Sequence, residues 1–183
     1  LRENGCRISV LAPPDHTVPH LEHLGCRFLP LEMSPKGLNP LNELKLLASF
    51  RRVFREEKPD AVLSFTIKNN IFGAMAAGAL GIPFVPTVTG LGTAFLSSGL
   101  LQSVVERLYS HAFRRLPAVF FQNGDDRDLF VQRGLVSAEQ SRILPGSGVD
   151  LDHFAPVQMP SSENSPVFLM IGRLLRDKGV LEF

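Results

Sequence analysis

Short apolar runs alternate with segments of helical period along the whole chain. Runs at 6–12, 26–32, 61–66, 82–88, 118–122 and 142–145 are bounded by turn residues and read as strands, with a further one at 167–171. Between them the spacing predicts helices over 18–25, 40–57, 69–81, 100–115 and 125–134. The helix over 40–57 starts on Asn39 as N-cap with Pro40 at the first helical position, and sets Leu44, Leu47, Phe50 and Phe54 on one side. Gly81 and Gly134 close two later helices, and Ser137 with Gln140 forms a capping box for one more turn.

Strand followed by helix, repeated, with strands apolar on both faces, predicts an α/β fold: a Rossmann-like open parallel sheet with helices on both faces. "LRENG" at the start reads as the last turn of a helix whose strand is not in the sequence. In doubly wound sheets that strand is central, so the sheet is expected to lack its middle. The polar, proline-bounded segment 157–166 reads as a linker. The expected organisation is therefore a first domain over 1–156, the linker over 157–166, and the opening of a second domain over 167–183.

Composition narrows the classes. The 183 residues are 44% hydrophobic, enough for a buried core, and the net charge of +1 gives no field for nucleic acid. Cys6 and Cys26 each open an apolar run and read as buried reduced thiols. No charged or histidine residue occurs from Asn69 to Val105, which is long enough to span a membrane. Pro83, Pro86 and the glycines between Gly73 and Gly92 would break such a helix, so a buried helix, a strand and a glycine-rich loop account for it instead.

Ligands of open parallel sheets lie beyond the carboxyl ends of the strands. Those ends supply Thr66, Lys68 and Asn69, then Thr89, Gly90, Gly92 and Thr93, then Asn123, then Gly146 and Ser147, and lastly Gly172, Arg173 and Lys178. "GLGTAF" lacks the third glycine of a dinucleotide fingerprint; it is equally a tight turn or a loop that lets backbone approach a sugar or phosphate. Lys68 is a poor charge for a helix N-terminus, and a ligand-facing role explains it better than a solvated one. Asn123 is an N-cap or a ligand to a sugar hydroxyl, while Asp125 and Asp126 complement a helix N-terminus. The five histidines show no metal spacing. Arg173 and Lys178 converge on one loop before a helix N-terminus, an arrangement suited to neutralising a departing diphosphate.

"GRLLRDKG" resembles the G-R-L-x-x-x-K-G signature that opens the second domain of family 4 glycosyltransferases of the GT-B fold, and "LPGSGVDLDHFAP" resembles the segment ending their first domain. "FTIKNNIFGAMAAGALGIPFVPTVTGLGTAF" and "FFQNGDDRDLFVQRGLV" are similar to a subgroup that builds lipid-linked oligosaccharides and polysaccharides. The resemblance implies two Rossmann-like domains around a cleft, the first taking the acceptor and the second a nucleotide-diphospho-sugar, with a UDP-sugar as donor. It implies retention of anomeric configuration without a cofactor or an obligatory metal. Arg173 and Lys178 carry over as the pair facing the leaving diphosphate. Thr89 stands where many members have histidine, and the family's paired glutamates lie beyond Phe183.

The expected partners are thus a nucleotide-sugar donor and a polyprenyl-diphosphate-linked glycan acceptor, in a protein that is cytoplasmic and peripheral on the inner face of the membrane. The chain by itself is expected to be inactive. Lys45, Arg51, Arg52 and Arg55, with Arg107, Arg114 and Arg115, fit two readings equally: a face resting on anionic lipid, or an ordinary solvated helix. A nucleotide-sugar 2-epimerase of the same build, or a non-enzymatic sugar- or anion-binding module, are the rival functions.

Overall fold

A computed structural model of the protein describes residues 2–33, 39–91, 100–158, 168–172, 174 and 179–183. The chain forms two compact units, Leu1–Ser147 and Gly148–Phe183.

In the first unit a short 3-10 turn, Arg2–Asn4, leads to strand β1 (Ser9–Ala12), helix α1 (Val18–His23) and strand β2 (Arg27–Pro30). Helix α2 (Pro40–Glu57) and strand β3 (Val62–Phe65) follow, then a π-helical turn (Asn69–Gly73) that runs into α3 (Ala74–Leu80). The unit continues with β4 (Phe84–Val88), α4 (Leu100–Phe113), β5 (Val119–Phe121), α5 (Gly124–Gln132) and β6 (Ser141–Ile143). All strand pairing is parallel, as expected of strands joined by helices. The pairing differs from a single open sheet: β1 pairs with β2, and β3-β4-β5-β6 form a separate sheet. Among the described residues no strand bonds to both sheets and joins them.

The ends of α2 obey local chemistry. Asn39 accepts a hydrogen bond from the Leu41 N–H at 3.0 Å, and Lys58, left-handed at φ 46°, closes the helix through Phe54. Its buried stripe, however, is Glu43, Leu46, Leu47, Phe50 and Phe54. Leu44, expected inside, is 63% exposed, because the seam that meets the core runs one step around the helix. The cysteines also depart from expectation. Strand β1 begins only at Ser9, which leaves Cys6 exposed in the preceding coil, and Cys26 is half-buried just before β2.

The core sits on the face of the larger sheet that carries Phe84, Pro86, Val88, Val119 and Phe121. Small residues bring α3 close: Ala76 and Ala77 have no exposed surface, and a Cβ on Gly73 would stand 2.9 Å from the Phe84 ring. Aromatic rings then link helices to sheet, with Tyr109 edge-on to Phe113 and Phe130 at 5.0 Å and Phe130 on Phe121 at 5.3 Å. The capping box forms as expected: Ser137 N–H donates to Gln140 Oε1, and Gln140 N–H to Ser137 Oγ. The same Gln140 amide donates to the carbonyls of Phe113 and Leu116, fastening the end of α4. On the opposite face of the sheet Leu63 and Phe65 stay about half exposed.

In the second unit Asp150 Oδ1 accepts from the N–H groups of Asp152 and His153, turning the chain at 151–154. The strand expected over 167–171 is absent from Phe168–Ile171, whose side chains stand largely in solvent; a strand without a partner to complete its ladder does not hold. After it, residues 179–182 make a turn, not the expected start of a helix.

Candidate functional site

Four parallel strands in the order β3-β4-β5-β6 end on one side of the sheet. The loops that follow them, holding Thr66, Thr89, Asn123 and Gly146, therefore line one edge in succession. Two of the residues are settled by local chemistry. Asn123 is the N-cap of α5: its Oδ1 accepts from the Asp126 N–H at 2.8 Å, and its amide donates to the Asp126 carboxylate. Gly146 takes φ 64° in an exposed turn with Ser147 beyond it. Thr89 is exposed and Gly90 has φ 147°, a backbone setting that favours glycine. Gly172 is exposed in the second unit. Gly92, Thr93, Arg173 and Lys178 lie outside the described residues.

The end of β3 is where the local structure is least ordinary. Thr66 holds φ 69°, a left-handed conformation costly for a β-branched residue. The π turn that follows accommodates one extra residue, a feature common at functional sites. Asn70 is buried, and its amide donates to the Thr87 carbonyl at 2.9 Å, tying this turn to β4. The side-chain oxygens of Asn69 and Asn70 are buried without a hydrogen-bond partner among the described residues.

Lys68 points neither into open water nor into an apolar core. Its ammonium meets the Glu43 carboxylate at 2.5 Å, with side-chain exposures of 16% and 12%. The second oxygen of that carboxylate, Oε2, is buried and has no partner among the described residues. Both residues line a groove of about 760 Å³ between the ends of β1 and β2 and the first half of α2. Pro13, Pro14, Leu31, Met33 and Leu46 give it apolar walls; Glu32 and Lys45 add one charge of each sign, so the charges of the lining cancel among the described residues. Asn42 and Ser49 line it too, so the groove is about evenly apolar and polar and could take a ligand with both kinds of surface.

Of the ligand candidates named from the sequence that are among the described residues, the structure brings Lys68 to this groove, with Thr66 and Asn69 beside it in the chain; Lys45, named there for a lipid-facing surface, also lines it. Glu43 was missed, although the spacing marks it: it stands three, four, seven and eleven residues before Leu46, Leu47, Phe50 and Phe54, on the buried stripe itself. An acid in that position needs a partner or a task. Among the described residues, no group of three histidine, cysteine or acidic side chains is placed to hold a metal ion.

Known proteins place this geometry in a family. One relative, an N,N'-diacetylbacillosaminyl-diphospho-undecaprenol alpha-1,3-N-acetylgalactosaminyltransferase of Campylobacter jejuni, is 28% identical over 199 residues, covering all of this chain and 53% of its own length. A second, a UDP-Gal:alpha-D-GlcNAc-diphosphoundecaprenol alpha-1,3-galactosyltransferase of Escherichia coli, is 27% identical over 158 residues, 81% of this chain and 41% of its own. The chain thus spans about half the length of the curated relatives it matches. The crystal structure of MurG from Acinetobacter baumannii superposes with a TM-score of 0.51 at 20% identity, over 82% of this chain and 39% of that one, and supports the GT-B-like α/β fold. The profile of the glycosyl transferase 4-like domain matches residues 1–146, and the chain belongs to that family.

Proposed function

We propose that the protein carrying this chain is a retaining glycosyltransferase that moves a sugar from a UDP-sugar to a glycan linked to a polyprenyl diphosphate. The observation that carries this reading is the pair of relatives, at similar distance and from different bacteria, both named for transfer onto a sugar-diphospho-undecaprenol. In the proposed step the bond from the anomeric carbon to the nucleoside diphosphate breaks, and a bond to an acceptor hydroxyl oxygen forms. The hydroxyl proton ends on the departing diphosphate or in water. No cofactor is required by this balance. Arg173 and Lys178 neutralise the departing diphosphate, a task to which their charges are suited.

Both named acceptors carry an N-acetylated sugar on the diphosphate, and the same acceptor class is proposed here. A lipid-linked acceptor calls for a protein at a membrane surface. The outward stripe of α2 suits that place: Leu41, Leu44, Lys45, Ala48, Arg52 and Arg55 are all exposed and recur at helical spacing. No helix of the described residues is long and apolar enough to cross a membrane. The location proposed with this acceptor is the cytoplasmic side, resting on the anionic inner leaflet through the stripe of α2.

The test is transfer by the full-length protein, read as UDP release with an undecaprenyl-diphosphate-linked N-acetylated sugar as acceptor. Arg173→Ala or Lys178→Ala should lower kcat by ~10² or more, the size of effect expected when leaving-group stabilisation is lost. An unchanged kcat in both variants would remove the assignment of these residues, and absence of release with every such acceptor would remove the reading itself.

A further inference from the structure

Three energetic costs gather around the end of β3. Thr66 holds a left-handed conformation that a β-branched side chain resists. Two residues on, Lys68 forms an ion pair with Glu43 at side-chain exposures of only 16% and 12%. Replacing such a pair by apolar groups of similar volume is commonly neutral or stabilising, so stability does not explain its presence. The Oε2 of Glu43 is also buried without a partner among the described residues.

These costs bear on one short segment that is held at several points. Phe65 lies in the ladder opposite Thr87. Beyond it the Asn70 N–H donates to the Thr66 carbonyl at 2.9 Å, and the Asn70 side-chain amide donates to the Thr87 carbonyl at 2.9 Å. Lys68 ties the middle of the segment to the first turn of α2 through Glu43. The segment stands at the carboxyl edge of the sheet, where ligands of parallel α/β folds lie, and Thr66 is exposed there, as Thr89 is at the end of the adjacent strand. Strain that the surroundings enforce at such an edge is characteristic of a pre-organised site.

We infer that Glu43 and Lys68 are positioning residues for sugar transfer: their ion pair braces residues 66–69 from α2 and fixes the shape in which this segment meets substrate. Neither side chain needs to touch the substrate. The inference rests on the transferase reading above and adds to it a second role for α2, whose outer stripe faces the proposed membrane while its inner stripe braces the edge of the sheet.

The experiment compares the full-length protein with the double variant Glu43→Leu with Lys68→Met, which exchanges the pair for apolar side chains of similar size and leaves no buried charge unpaired. Its urea midpoint should equal or exceed the wild-type value, whereas Glu43→Gln and Lys68→Met alone should each lower it. Transfer, read as UDP release with the lipid-linked acceptor, should nonetheless stay down in the double variant by about tenfold or more in kcat/KM, the kind of loss that slight misplacement produces. Hydrogen–deuterium exchange without substrate should quicken by about tenfold in peptides covering residues 66–70 and stay unchanged over 119–121. The inference falls if the double variant unfolds well below the wild-type midpoint, since the pair then serves stability, and equally if it keeps wild-type transfer or wild-type exchange over 66–70. Wild-type protein that releases no UDP with any such acceptor would sink the proposed activity instead, and the exchange comparison would still decide the brace.

Discussion

Burial keeps the Tyr109 phenol neutral. The ring is 1% exposed between Phe113 and Phe130, and desolvation raises its pKa well above the ordinary value of 10.0. As pH rises through that ordinary value the unfolded chain releases the proton first, so the stability linked to this group is complete below it and is lost with alkali. The urea midpoint should therefore fall between about pH 9 and about pH 11, and Tyr109→Phe, which keeps the ring contacts, should flatten that fall. An identical slope in the variant would show that the phenol is not the group responsible. At this scale the sequence was most legible where the chemistry is local. Asn39 and Ser137 act within three residues of their partners and could be assigned from the turn each opens, as could the capping half of Gln140, while Asn123, equally local, was read as either an N-cap or a sugar ligand. Glu43 was not assigned, because its partner Lys68 is a whole strand away and polar helix positions are read as solvated by default. Lys68 itself was singled out for its awkward charge at a helix start, without its partner being visible.

Elements were legible in type and less so in extent. The apolar run gives the buried segment, but a strand ends where its ladder ends, and β1, β2 and β5 are all shorter than the runs that contain them. The π turn had no readable signal, since it arises from packing between β3, β4 and α2 rather than from residue preference. Two glycines in this stretch, alike in sequence, differ sharply in setting. At Gly73 a methyl would press on the buried Phe84 ring, whereas at Gly78 nothing lies within 4 Å. Gly73→Ala gains helix propensity worth up to about 1 kcal/mol but overpacks the core, for a net loss of about 1–2 kcal/mol. Gly78→Ala has only the gain, about 0.5–1 kcal/mol. Urea unfolding of the two variants should show opposite signs; two stabilised proteins would mean that the ring moves aside freely.

For the molecule as a whole, the alternation of strands and helices was enough to give a parallel α/β fold, and the family match bears it out. The division into two sheets was not written in any local pattern, because strand order is decided by contacts between segments far apart in the chain. The surface balance was half legible: the cations of α2 were visible, but not which of them face outward, and Arg51 is partly buried with its Nε unpartnered among the described residues. The proposed membrane face follows from the corrected map. Reversing Arg52 and Arg55 to glutamate should reduce sedimentation with phosphatidylglycerol vesicles by more than about tenfold, given about 1 kcal/mol for each cation near an anionic surface. Leu41→Ser with Leu44→Ser should remove the part that survives high salt. Vesicle binding indifferent to all four changes would assign the stripe to solvent.

The parallel pairing has a kinetic consequence. Ser9 meets Arg27, Val62 meets Phe84, and Thr87 meets Phe120, so no rung of either ladder can form by a simple hairpin closure. Each requires a long intervening segment to be gathered first, an entropic cost met before any reward. The helices can flicker into being early, while assembly of the strands is left as the slow event, and during that wait the apolar strands stand open to neighbours in the solution.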